Sequence, residues 1–336
     1  MPRTLLPAAV LGAVLAAGVS ACSSIPIVGR RPAEFWAFTA PWDPASSASV
    51  ARNREDVGAL ISGWMYLDSA TAEPIVAFPD TVARPLKRGE RRMLLITSWH
   101  GARFHQGPVR ALAAEPARLA AAARVVATAA AAGGYEGLVL DFEALVPGDA
   151  GALVRVVRAL GDAARARGVR TVTVAVPAGD TAAYPGRALV GAADRLLVML
   201  YDQHWSGSPP GPISDPEWVR QSLAPRVAEV GPSRLVAGLP AYGYQWPVDR
   251  GPGVPISYDD ARRLAAEAGT TLARDPASHT LTARRAGPPG DAWELWVTDA
   301  ELLRILVDEI RRTGVRTFAL WRLGQEDERV WERVVR

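Results

Sequence analysis

Lysine is almost missing from this chain. Of the 38 basic residues among its 336 positions only Lys87 is a lysine, and the arginines are scattered rather than gathered on one stripe. With a net charge of +3, that scatter excludes the clustered basic face needed for nucleic acid, so no nucleic-acid partner is expected. Cysteine is limited to Cys22, which rules out disulfides within the chain and any multi-cysteine metal site. The four histidines, at 100, 105, 204 and 279, lack metal-ligand spacing, and neither a metal nor a cofactor is expected. Also missing are a Gly-x-Ser-x-Gly elbow, a His-Glu-x-x-His helix and a Walker-type phosphate loop, with the hydrolase and nucleotide chemistries they serve. What the chain does have is 49% hydrophobic residues against 22% charged, enough for one large core and too apolar for a disordered chain.

The first apolar run, Leu5 to Ala21, is short for a membrane span, follows one positive residue, Arg3, and ends in small residues. Residues 1–21 therefore read as a secretory signal. The terminal Val19-Ser20-Ala21-Cys22 resembles the lipobox of bacterial lipoproteins, which implies cleavage before Cys22 and a lipid on its thiol. Residues 22–32 read as a tether. The expected location is the cell envelope, with the membrane reached through Cys22; each buried methylene of an acyl chain contributes about 0.8 kcal/mol.

From Ala33 onward, short apolar runs alternate with Ala/Arg/Leu-rich stretches. Strands are expected at 35–39, 59–64, 93–97, 137–142, 171–176, 196–201, 235–239 and 317–321, several of them apolar on both faces as buried parallel strands are. Helices are expected at 116–132, 150–167, 216–230 and 299–313. Eight strands in α/β alternation favour a (β/α)8 TIM barrel over residues 33–336, and no Gly-x-Gly-x-x-Gly follows the first strand to support a dinucleotide fold. The long last connection, with a helix at 257–269 and strand-like runs near 279–283 and 294–297, predicts a small α+β insertion at about 247–298, before the final helix and strand.

The informative stretch is Glu136-Gly137-Leu138-Val139-Leu140-Asp141-Phe142-Glu143. Residues two apart on a strand share a face, so Asp141 and Glu143 project together while Leu138, Leu140 and Phe142 face the outer helices. Like charge and burial raise a carboxyl pKa, which suits a general acid at a barrel mouth. The pattern alone leaves open a pair of solvated acids salt-bridged to arginines. This stretch resembles the Asp-Gly-x-Asp-x-Asp-x-Glu signature of glycoside hydrolase family 18, the chitinase-like barrels. Met199-Leu200-Tyr201-Asp202, Gly238-Leu239-Pro240-Ala241-Tyr242-Gly243 and the closing Ala319-Leu320-Trp321 resemble that family's later motifs, in order.

The resemblance implies a polysaccharide substrate containing β-linked N-acetylglucosamine, either chitin or a bacterial wall glycan. It implies Glu143 as general acid/base, Asp141 orienting the 2-acetamido group, Tyr201 bonding its carbonyl, Asp202 contacting the same sugar and Trp321 stacking beneath it. Asp141 and Glu143 lie on one strand and so cannot flank a bond as acid and opposed nucleophile, which leaves the substrate's own N-acetyl oxygen for that part. Two departures stand out: Glu136 in place of the first acid, and Val139 in place of the middle one. Among the 11 tryptophans, Trp99, Trp205, Trp246 and Trp321 fall near strand ends where sugar stacking needs them, whereas Trp36, Trp64, Trp293 and Trp296 read as core. Trp99, Tyr242 and Trp246 are taken as further substrate-binding residues. The chain is expected to be a monomer, and Val139 keeps a second reading open, a glycan-binding lipoprotein on the same barrel with little or no hydrolysis.

Overall fold

The computed structural model describes residues 33–80, 82, 91–248, 251–288 and 290–336, so the expected signal, Cys22 and the tether lie outside the described residues. Eight parallel strands form the barrel: β1 (Glu34–Phe38), β2 (Ala59–Leu67), β3 (Arg91–Thr97), β4 (Gly137–Asp141), β5 (Thr171–Pro177), β6 (Arg195–Met199), β7 (Leu235–Pro240) and β8 (Thr317–Trp321). The sheet closes because β1 pairs with both β8 and β2. All eight lie within a few residues of their expected positions, since strands covered on both faces are continuously apolar and stand out in the sequence.

Alternation along the strands sorts the core into two sets. Trp36, Phe38, Ile61, Met93, Leu95, Val139, Ala175, Leu197 and Met199 fill the barrel. Phe35, Ala37, Leu94, Ile96, Leu138, Leu140 and Phe142 face out against the helices. At the strands' N-terminal end the interior turns polar. There Arg91 pairs with Glu34, Arg195 Nη1 donates to Thr317 Oγ1 at 2.7 Å, and the Arg91 and Arg195 guanidinium carbons lie 5.8 and 5.7 Å from the Trp36 ring centroid.

The outer layer is less regular than strict alternation predicts. Helix α1 (Pro44–Asn53) follows β1, α2 (Gly107–Ala114) and α3 (Pro116–Gly133) follow β3, α4 (Ala150–Arg165) follows β4, and α5 (Pro216–Val230) follows β6. After β2 the described residues form a strand instead, Pro74–Phe78, antiparallel to β2, and after β5 there is only a single turn, Gly186–Leu189. Helix α5 starts where a side chain accepts from a free N–H group: Asp215 takes Trp218 N at 2.8 Å, with Pro216 at the first position.

Between β7 and the last helix lies a five-stranded antiparallel sheet in the order 254–256, 243–247, 293–297, 281–285, 273–274, with α6 (Tyr258–Glu267) against it. Its own core is Ile256, Ala261, Ala265, Ala283, Trp293, Leu295 and Val297. The sheet begins at Gly243, ahead of the expected 247, because that strand continues almost directly from β7. Helix α7 (Ala300–Arg312) then returns the chain to β8.

Gly243 sits where this sheet leaves the barrel, and a Cβ there would lie 2.3 Å from Trp296 O and 2.7 Å from Val297 Cα. Both obstacles are backbone of the paired strand, so relief requires breaking register. Gly243→Ala is expected to destabilise the protein by about 1–3 kcal/mol in denaturant unfolding. An unchanged midpoint would show that the two strands tolerate a wider spacing.

Candidate active site

Strand β4 ends at Asp141, and the chain turns out of the barrel through Phe142 and Glu143. Three residues fix that turn. Ser98, just past β3, donates its N–H to Asp141 O at 2.9 Å and accepts Glu143 N–H on its hydroxyl at 3.2 Å. The Tyr184 hydroxyl donates to Phe142 O at 3.0 Å and accepts Leu145 N–H at 3.3 Å, bracketing Glu143 from behind. Gln106 Nε2 donates to Ala144 O, and Ala144 itself adopts φ +59°, a left-handed conformation costing roughly 1 kcal/mol without glycine. Tyr184 is anchored in turn by Arg226 of α5, fully buried, whose guanidinium donates to Tyr184 O at 2.7 Å and Asp180 O at 2.7 Å.

The cavity above has a volume of about 880 Å³ and takes Asp141, Glu143, Tyr201, Asp202, Trp321 and Trp99 into its wall. Tyr201 and Trp321 lie nearly parallel, centroids 6.5 Å apart at 14°, and the edge of Phe38 holds Trp321 at 5.1 Å. Asp202, with φ +59°, opens to the cavity on one side and on the other accepts the hydroxyls of Tyr242 and, at 3.5 Å, Tyr244.

Electrostatics divide the two acids of β4. Removal from water pushes the Asp141 carboxyl up to about 6, opposed by hydrogen bonds from Thr97 and Glu143. Removal from water also raises Glu143, and here the Asp141 charge, the bond with Asp141 and the Asp202 charge all act in the same direction. Glu143 is therefore the member of the pair that holds a proton more tightly, and Asp141 the one that ionises first. Desolvation and the neighbouring carboxylates hold Tyr201 well above its usual range, so its hydroxyl stays a donor.

Three residues expected at the substrate are not on the cavity wall. Trp246 is buried with Ile213, Tyr242 and Tyr244, because its strand belongs to the small sheet rather than the barrel. Tyr242 is buried too, and its hydroxyl is used on Asp202, so it holds a wall residue instead of forming the wall. Trp205 is exposed and likewise away from the cavity. Conversely, Trp64, read as core, lines the cavity, as do Trp42, Tyr66, Phe78, His100, Phe104 and Trp218. Trp42 and Tyr66 sit just beyond or at the ends of β1 and β2, a position that could have marked them. Among the described residues no group of three or more His, Cys, Asp or Glu side chains could hold a metal.

No protein-family model matches the chain. Among curated proteins it is 26% identical over 212 residues to an uncharacterized glycosylase of Bacillus subtilis, YvbX, covering 60% of each. It is 24% identical over 209 residues to the cortical fragment-lytic enzyme of the same species, covering 59% of this chain and 48% of that protein. The chain thus spans about half to three fifths of the length of these relatives. Among solved structures, the spore cortex-lytic enzyme SleL of Bacillus cereus superposes with a TM-score of 0.78 at 18% identity, over 91% of this chain and 74% of that one. A chitinase from Chromobacterium violaceum superposes with a TM-score of 0.77 at 24% identity, over 90% of this chain and 98% of that one.

Tyr184→Phe removes one hydroxyl and leaves Phe142 O and Leu145 N unpaired behind the acid. Stability should fall by about 1–2 kcal/mol, with hydrogen exchange at the Leu145 amide speeding up more than in the barrel strands. Exchange that quickens evenly everywhere would instead assign Tyr184 a global packing role. The barrel fold is shared with the cortex-lytic enzyme and the chitinase over about nine tenths of the chain.

Proposed function

We propose that this chain is a cell-envelope glycosidase that hydrolyses β-linked N-acetylglucosamine-containing glycans, chitin-like or peptidoglycan, with the substrate's own N-acetyl oxygen as nucleophile. The observation that carries this reading is the desolvated pair at the end of β4, Glu143 beside Asp141 with both carboxyls raised by burial, set in a cavity walled by Tyr201 and Trp321. The names of the relatives, glycosylase, cortex-lytic enzyme and chitinase, support the same reaction class.

In the proposed reaction the sugar rests on Trp321, and Tyr201 donates to the acetamido carbonyl. Asp141 accepts the acetamido N–H and stabilises the positive charge that develops on that group. Glu143 gives its proton to the glycosidic oxygen as the bond to C1 breaks, while the acetamido oxygen bonds to C1 from the opposite face. The resulting oxazolinium ion is opened by water, whose proton returns to the Glu143 carboxylate, so C1 keeps its β configuration. Asp202 is the other carboxylate on the described cavity wall, and its engagement by Tyr242 and Tyr244 leaves it poorly placed to serve as a protein nucleophile.

Oligosaccharides matched except for acetylation at the cleaved residue separate this mechanism from its rivals. The acetylated series should be cleaved with initial release of the β anomer by NMR, and the deacetylated series should be nearly inert. Glu143→Gln, which keeps shape but has no titratable proton, should lose on the order of 10²–10⁴-fold in turnover while still binding the glycan. Comparable cleavage of the deacetylated series, or an initial α anomer, would sink the mechanism. Binding without cleavage by the parent protein would favour the second reading, a glycan-binding protein, for which Val139 is the motivating residue.

Envelope attachment is proposed to run through a lipid on Cys22, motivated by the small residues that precede it and the polar tether that follows. Cys22→Ala should release the protein from membranes or leave it as an uncleaved precursor. A variant that is still processed at Ala21 and stays membrane-bound contradicts the anchor.

A further inference from the structure

Beneath the Asp141 carboxyl the barrel interior is apolar apart from Thr173, the fully buried register partner of Val139, whose hydroxyl makes no hydrogen bond among the described residues. Leu95, Val139, Ala175, Leu197 and Met199 occupy the interior there, and Val139, two residues before Asp141 on the same face, is fully buried. A carboxylate resting on such a floor is held only by donors at its own level. The groups that face it are few. Glu143 comes from the end of β4, Tyr201 and Asp202 from the end of β6, and Tyr184 from the segment after β5, with its hydroxyl already given to Phe142 O.

The remaining group is Thr97, the last residue of β3 and the register partner of Asp141 across the parallel pair. Thr97 is buried, lines the same cavity and lies beside Asp141 as its register partner, where it draws that carboxyl's pKa down against the rise from burial. What that hydroxyl can offer follows from a neighbour. Trp99 N–H donates to Thr97 Oγ1 at 3.0 Å, so the hydroxyl already accepts on its outer side and has its proton free for the carboxylate.

We infer that Thr97 is the positioning residue for Asp141, its hydroxyl supplying from β3 the hold that a second acid at position 139 would otherwise give from β4. A hydroxyl differs from an acid in a way that bears on the reaction: it donates to the carboxylate without competing for the proton that Asp141 and Glu143 share. The pair then titrates as two groups rather than three, and Asp141 stays turned toward Glu143 and the acetamido group with no third acid below it. The Thr97 inference draws on the glycosidase reading only for its kinetic consequence.

The test follows the Asp141 and Glu143 carboxyl carbons by ¹³C NMR titration in the parent, Thr97→Val and Thr97→Ser, alongside pH profiles of kcat/KM on N-acetylated oligosaccharides. Removing a donor to the ionised form moves the Asp141 midpoint upward, by about one pH unit or more. The acidic limb of the rate profile should move up with it, so activity is lost first on the acid side, and kcat should fall more than KM rises. Thr97→Ser, which keeps the hydroxyl, should restore both. Thr97→Ala provides the same loss of donor if the valine variant does not fold. An Asp141 midpoint unchanged in the variants lacking the hydroxyl, or a serine variant that behaves like valine, overturns the inference. A midpoint that moves as stated in a protein whose parent cleaves no glycan would uphold the role of Thr97 and reject the glycosidase reading instead.

Discussion

The chemistry of this barrel depends on one shared proton. Asp141 and Glu143 both lie in a desolvated pocket, and two negative charges so close on one strand end are costly there, so one of them keeps a proton. Which one is decided by donors: Asp141 receives hydrogen bonds from Thr97 and Glu143, whereas every influence on Glu143 raises its affinity for a proton. The arrangement has a price in stability, and its sign is fixed. A carboxyl whose folded pKa stands near 6, above its value in the unfolded chain, favours the fold at low pH, and that contribution is lost as pH rises through about 6. Glu143, also raised, acts in the same direction, so the pair favours the fold progressively less as the pH rises.

That strain needs a rigid seat. Asp202 and Ala144 both adopt left-handed backbone that other residues would have to enforce, and each is held on its far side, Asp202 by Tyr242 and Tyr244, Ala144 by Gln106 and by the Tyr184 bracket. The restraint on the acid can be followed outward. Tyr184 is held by Arg226, whose fully buried guanidinium is satisfied largely by backbone carbonyls, so a helix on the barrel's exterior helps fix a carboxyl at its mouth.

The barrel strands were legible in the sequence because a parallel strand covered on both faces is an uninterrupted apolar run, and the two acids were legible because period two puts Asp141 and Glu143 on one face. Other parts carried no such signal. Strand Pro74–Phe78 is mostly exposed, begins with proline and lacks alternation, so nothing distinguishes it from a loop. Helix α1 is built from Pro, Ala and Ser with no apolar stripe, and forms because Asp43 caps it and Ser46 and Ser49 make specific polar bonds. The aromatic wall of Trp42, Tyr66, Phe78 and His100 comes from separate loops and strand ends, whose convergence is a property of the closed sheet. Trp246 misled for the opposite reason: it lies close to β7 in sequence, yet its strand pairs within the small sheet and turns the ring into that sheet's junction with the barrel.

The two ends of the barrel interior are built on opposite principles. At the N-terminal end Arg91 pairs with Glu34 and Arg195 donates to Thr317 around Trp36, so the cations there meet an anion, a hydroxyl and an aromatic ring. At the C-terminal end Asp141, Glu143 and Asp202 share one sign and have tyrosine and threonine hydroxyls as partners in place of cations. The apolar layer of Leu95, Val139, Ala175 and Leu197 lies between them. That separation keeps the arginines from neutralising the carboxylates. An arginine beside Glu143 would draw its proton off and leave no acid, whereas hydroxyl donors can orient a carboxylate while adding no charge. Val139 belongs to this design as much as the acids do, because an apolar side chain at that level thickens the insulating layer just where the register places Thr97 to hold Asp141 from the side.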